Sequence, residues 1–125
     1  MKTVLIVDDD IEFGRELAAT LKNLKLNAHF AHSGIEAVRK YQDNQYHMVF
    51  LCADIEDPDG FRTAQAIRTI ERHRGVAHVP IIGLSTNGFL IECMDSGMND
   101  YLHKPIDQDL LKKAVQKWKR TINFD

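Results

Sequence analysis

The sequence predicts a doubly wound α/β domain, a five-stranded, mostly parallel sheet with helices on both faces. Three observations predict it. Short apolar runs of strand length alternate with longer amphipathic segments along the whole chain. Several of those runs are almost continuously apolar, as strands covered on both faces are. The length, 125 residues, suits one such domain over residues 1–125 and leaves little room for a second.

Each element has its own signal. Thr3-Val4-Leu5-Ile6-Val7 is β-branched and apolar throughout, a buried parallel strand. Three acids follow, and then Phe13, Leu17, Leu21 and Leu24 recur at helical spacing, with Asp9 or Asp10 as the N-cap. Gly14 inside this helix costs roughly 1 kcal/mol relative to alanine, which points to close packing near the acids. Leu26 to Ala31 is a more polar strand suited to a sheet edge. Ser33-Gly34-Ile35-Glu36 reads as a capping box opening a helix with Ile35, Val38 and Tyr41 inward.

Met48 to Ala53 is the third strand, and an acidic loop runs from Asp54 to Gly60. The following helix presents Phe61, Ala64, Ile67 and Ile70. Pro80-Ile81-Ile82-Gly83-Leu84 is the fourth strand, with proline tolerable at its first residue. Leu90 to Met94 suggests a short helix and Tyr101-Leu102-His103 a short fifth strand. The last helix begins near Asp107 and buries Leu110, Leu111, Ala114, Val115 and Trp118. Its lysines, Lys112, Lys113, Lys117 and Lys119 with Arg120, form a solvated face.

Composition excludes several classes. Hydrophobic residues make up 44% and charged residues 27%, an ordinary globular balance. A net charge of -2 gives no electrostatic reason to expect nucleic acid or a membrane surface as partner. No apolar run approaches bilayer length, and the Met1-Lys2-Thr3 start passes straight into a strand instead of a leader. Cys52 and Cys93 have no partnered spacing, so a cytoplasmic setting with both thiols reduced is expected. The six histidines show no metal-ligand spacing; His103 stands next to Lys104 and could contact it. Met94, Met98 and Trp118 read as packing residues.

In sheets of this kind ligands gather beyond the carboxyl ends of the strands. There the first strand delivers Asp8 and Asp9, the third Cys52 and then Asp54, the fourth Ser85, and the fifth His103 and Lys104. Singly these are ordinary capping and loop residues. Together, carboxylates, a hydroxyl and a lysine at four strand ends form a candidate site.

At these residues the sequence resembles the receiver domains of bacterial response regulators and hybrid sensor kinases. The resemblance rests on Val4-Leu5-Ile6-Val7-Asp8-Asp9-Asp10, Asp59-Gly60-Phe61, Ile81-Ile82-Gly83-Leu84-Ser85 and Gly97-Met98-Asn99-Asp100-Tyr101-Leu102-His103-Lys104-Pro105-Ile106. It implies a flavodoxin-like receiver fold with strand order 2-1-3-4-5 and a role in two-component phosphorelay signalling. Asp8, Asp9 and the backbone carbonyl of Asp54 would hold Mg²⁺, a hard cation that prefers oxygen. The metal and Lys104 would offset phosphoryl charge. Ser85 would donate a hydrogen bond to a phosphoryl oxygen, Tyr101 would be the switch aromatic, and Lys104-Pro105 would be cis. Implied partners are a histidine kinase, a phosphotransfer protein or another signalling protein, with a homodimer left open. The domain is not expected to be an enzyme beyond the family's own phosphotransfer.

The sequence departs from the family at the phosphoacceptor. Counting back from Asp59-Gly60 by the family's loop spacing, or forward from the aromatic Tyr46, lands on Cys52. The rival alignment makes Asp54 the acceptor; residues i and i+2 of a strand share a face, so periodicity leaves both open. A thiol supplies neither the attacking oxygen nor a good ligand for a hard cation, so Mg²⁺ binding would be weak or absent. Neighbouring acids would keep Cys52 protonated and inert. Three functions follow: a degenerate receiver signalling by protein–protein contact, a phosphorelay receiver phosphorylated on Asp54, or a thiol sensor through Cys52. In the loop, Glu56 replaces the family's usual proline. The span from Ser85 to Lys104 is a few residues short, so the helix within it should be short or irregular. A flavin or nucleotide site would need a phosphate-cradling loop where Asp8-Asp9-Asp10 stands. Three acids there would repel it.

Overall fold

The computed structural model describes residues 1–121, and the side chains of residues 1–119. The end of the domain read from the sequence, 122–125, and the side chain of Arg120 lie outside the described residues. The chain alternates strictly: β1 (Lys2–Val7), α1 (Ile11–Asn23), β2 (Leu26–Ala31), α2 (Gly34–Asp43), β3 (Val49–Cys52), α3 (Gly60–Arg74), β4 (Ile81–Ser85), α4 (Leu90–Asp95), β5 (Asp100–His103) and α5 (Gln108–Thr121). All strand pairs are parallel and the order is β2-β1-β3-β4-β5. This is the predicted flavodoxin-like architecture.

Alternation along the strands divides the core in two. Val4, Ile6, Met48, Phe50, Ile82 and Leu84 face Leu17 and Leu21 of α1 and Leu111, Ala114 and Val115 of α5. Leu5, Val7, Val49, Leu51 and Ile81 face Ala37 and Tyr41 of α2, Ala64 and Ile67 of α3 and Cys93 of α4. Burying each large aliphatic or aromatic side chain is worth roughly 1.5–3 kcal/mol, so both layers hold the sheet rigid beneath its strand ends.

Caps fix where the helices start. Asp10 accepts the Phe13 N–H, Ser33 the Glu36 N–H and Asp59 the Arg62 N–H, each through its side chain. Between the two acids offered as the first cap, Asp10 takes the role. α4 is six residues long, as the short Ser85-to-Lys104 span implied.

Two helix faces differ from expectation. Ile35 is 49% exposed and Leu110 54% exposed. In α2 the buried stripe is Gly34, Ala37 and Tyr41, rotated by one residue from the apolar pattern. Small residues there let the helix lie close to its neighbours, and bulk was the wrong guide. Met94, read as packing, is likewise exposed on α4.

Gly14 packs over Phe30 and Ile6, but a Cβ there would lie 3.6 Å from Phe30 Cδ1 and 3.9 Å from Ile6 Cγ2. Those are ordinary contacts, so close approach does not require glycine. Gly14→Ala is expected to raise stability by about 0.5–1 kcal/mol, measured by urea unfolding, because alanine loses less backbone freedom on folding. A loss of stability would mean that Phe30 cannot adjust.

Candidate functional site

Four strand ends bring the predicted residues together above the sheet. Asp8 follows β1, Cys52 ends β3, Ser85 ends β4 and Lys104 follows β5. Gly60 fixes the end of β3 against α3. A Cβ at this position would fall 2.5 Å from the Cys52 carbonyl oxygen and 2.6 Å from Ala53 Cα, so only glycine allows this approach. The Lys104–Pro105 peptide is cis, as the resemblance implied, and so is Asp57–Pro58.

Lys104 organises the first half of the site. Its ammonium donates to Asp8 Oδ2 at 2.6 Å, lies 3.7 Å from Cys52 Sγ and sits 4.2 Å from the centroid of the Phe13 ring. Burial works against the charged amine, but the hydrogen bond to Asp8 and the Asp8 charge oppose it, and its pKa is raised. The cation–π contact gives Phe13 a role beyond the core position that its helical spacing in α1 signals.

Cys52 is buried, and its thiol is pushed above its ordinary pKa, first by burial and then by the Asp8 charge. Lys104 opposes this without reversing it. The group is therefore a protonated thiol at neutral pH. Cys93 is raised further, to about 11, again by burial first.

Asp54 touches this cluster through its backbone, which hydrogen-bonds Cys52, while its carboxylate is engaged elsewhere. β3 ends at Cys52 and the chain turns, so the i, i+2 rule does not apply to the pair. The Asp54 carboxylate accepts from Ser85 Oγ at 2.9 Å and from Asn87 Nδ2 at 3.1 Å. Ser85 Oγ also accepts the Asn87 N–H at 2.9 Å. Tyr101 completes this second half: its hydroxyl donates to the Ser85 carbonyl at 3.0 Å and accepts the Gly88 N–H at 3.1 Å. His103 reaches Tyr101 Oη at 3.2 Å, in place of the lysine contact considered from the sequence. His32, not singled out in the sequence, places Nδ1 3.1 Å from the Asp8 carbonyl oxygen.

The donor set suits a hard divalent cation poorly. One Asp8 oxygen is held by Lys104 and the other accepts the Asp10 N–H at 3.0 Å. Asp9 is exposed at the mouth, and a thiol stands where a further oxygen would be needed. Among the described residues, no three His, Cys, Asp or Glu side chains gather to hold a metal. No described helix is long and apolar enough to cross a membrane.

Comparison with known proteins gives this geometry a context. Residues 4–116 match the family model for the response regulator receiver domain. The chain is 33% identical over 121 residues to hybrid signal transduction histidine kinase A of Dictyostelium discoideum, covering 94% of this chain and 6% of that protein. It thus spans only a small part of the curated relatives it matches. Among solved structures it superposes with a TM-score of 0.87 and 28% identity on a chain from the complex of the Saccharomyces cerevisiae phosphotransfer protein Ypd1 with the receiver domain of Ssk1, covering 99% of this chain and 94% of that one. The receiver domain of the sensor histidine kinase PA1611 from Pseudomonas aeruginosa, solved with magnesium in its active-site cleft, gives a TM-score of 0.83 at 31% identity, covering 94% and 96%.

Proposed function

The chain belongs to the response regulator receiver domain family, and from that premise we propose that it is a receiver with a degenerate acceptor, signalling by protein–protein contact instead of carrying a phosphoryl group. One observation carries the reading. The group beside the Lys104 ammonium is the Cys52 thiol at 3.7 Å, while the nearest alternative carboxylate, Asp54, is turned towards Ser85 and Asn87. A protonated thiol is a poor nucleophile towards phosphorus and a poor ligand for Mg²⁺.

In this reading residues 1–125 form one signalling unit without enzymatic turnover. Asp8 and Asp9 keep the acidic mouth, Asp54 adds its backbone carbonyl, and Mg²⁺ binds weakly. Ser85 and Lys104 keep their places, and Tyr101 remains the switch aromatic. The complex of Ypd1 with Ssk1 makes a histidine phosphotransfer protein or a histidine kinase the first partner to test, in a cytoplasmic setting. Burial of Cys52 argues against a thiol sensor, because the thiolate is the reactive form.

The alternative is a phosphorelay receiver that accepts phosphate on Asp54, which is exposed and within reach of a donor. Incubation with acetyl phosphate and Mg²⁺ separates the two. The intact mass is expected to stay unchanged. A phospho-adduct mapped to Asp54 would overturn the degenerate reading and establish the alternative.

A further inference from the structure

The Asp54 carboxylate occupies an unexpected position. Its hydrogen bonds are not made to the lysine–aspartate pair, where a nucleophile or metal ligand would be used. It faces the one buried hydroxyl of the site, Ser85, which is 0% exposed. That hydroxyl, by the resemblance, is the group that meets a phosphoryl oxygen. Here it already has an anionic oxygen at 2.9 Å, supplied by the chain itself.

The consequences run outward through a series of contacts. Asn87 is held twice, by its side chain on Asp54 and its N–H on Ser85 Oγ. This fixes the turn after β4, where Gly88 adopts a left-handed φ of 67° with open space around its Cα. The turn aims the Gly88 N–H at Tyr101 Oη, and the same hydroxyl donates back to the Ser85 carbonyl. Phe89 closes the loop against Phe61 of α3, with ring centroids 5.7 Å apart. A single carboxylate therefore begins a chain of contacts ending on the Tyr101 ring.

We propose that Asp54 is a positioning residue, a built-in substitute for the phosphoryl oxygen that holds Ser85, the Asn87–Gly88 turn and Tyr101 in one latched arrangement without any modification. The proposal rests on the degenerate-acceptor reading and explains how such a domain would present a fixed contact face. The occupied latch leaves a phosphoryl group nothing to switch. It also gives the divergence of the acidic loop a physical role, since a carboxylate two residues beyond the acceptor position can reach Ser85 only because the strand has already ended.

The test uses the intact chain and NMR. In Asp54→Ala, nuclear Overhauser contacts between the Tyr101 ring and the Gly88 amide should disappear. Exchange of the Gly88 amide should quicken about tenfold, the factor given by the net worth of one hydrogen bond. Asp54→Asn keeps an acceptor for Ser85 and should retain part of both signals. The thermal melting midpoint should fall by several degrees in Asp54→Ala, where the buried Ser85 hydroxyl loses its acceptor, and by less in Asp54→Asn. Persistence of the Tyr101–Gly88 contacts and of Gly88 protection in Asp54→Ala would overturn the latch. That failure is distinct from a phospho-adduct on Asp54 in the acetyl phosphate experiment, which would overturn the degenerate reading.

Discussion

Glu71→Ala is expected to lower the unfolding free energy by about 3–5 kcal/mol, the cost of leaving a buried ion without its partner. Glu71 is 0% exposed and Arg68 6%. Glu71 Oε1 accepts from Arg68 Nη1 at 2.8 Å, and Oε2 accepts from Tyr41 Oη and from the Val79 N–H, both at 2.7 Å. The guanidinium also donates to the carbonyls of Gly97 at 2.9 Å and Val79 at 2.8 Å and to Asn99 Oδ1 at 2.7 Å. Asn99 Oδ1 in turn accepts the Ile81 N–H at 2.8 Å. The network ties α2, α3, the start of β4 and the approach to β5 together at the end of the sheet opposite the acidic site.

Removing Glu71 strands three groups at once. Arg68 keeps its carbonyl partners but loses its counter-charge, and the Tyr41 hydroxyl and Val79 N–H lose their acceptor. Each stranded neutral donor costs about 1–3 kcal/mol, although relaxation and water entry reduce the sum. Burial, and then the hydrogen bond to Glu71, already hold the Tyr41 hydroxyl well above its ordinary pKa. Urea unfolding gives the direct measure. The double variant Arg68→Met, Glu71→Leu should be more stable than Glu71→Ala, since removing both charges leaves no uncompensated ion. A cost below about 1 kcal/mol for Glu71→Ala would mean that water replaces the carboxylate.

This network shows where sequence reasoning stops. Arg68 and Glu71 fall on the same helical stripe as Ala64 and Ile67, so the period placed them in the core. The apolar residues Phe61 and Ile70, expected inward, are only partly buried. A charged residue on an apolar stripe was the available signal. The strands were legible because their apolar runs are short and β-branched, and the strand-end residues because the topology fixes where strand ends point. The direction of Asp54 was not legible. Strand periodicity holds only while a strand continues, and pairing with β4 ends at Cys52.

The Cys52→Asp variant is expected to gain a metal-dependent stability well beyond that of the natural chain. The new carboxylate would stand beside the Lys104 ammonium, now 3.7 Å from the thiol, and near buried Asp8. Without metal it adds a buried charge next to a like charge. At an effective dielectric of about 20 a pair at 4 Å costs about 4 kcal/mol, and Lys104 should offset a large part of that. The metal-free variant should therefore melt below the natural chain. With Asp8 and Asp9, the new oxygens would complete a donor set suited to Mg²⁺. A ligand that binds only the folded state stabilises it, by about 2.7 kcal/mol at a hundredfold excess over Kd. Melting curves with and without Mg²⁺ should separate clearly for the variant and far less for the natural chain. Phosphodonor labelling should then place a phosphoryl group on position 52 of the variant alone. If the variant gains neither the Mg²⁺ dependence nor the label, Cys52 does not stand at the acceptor position, and the degenerate reading loses its foundation.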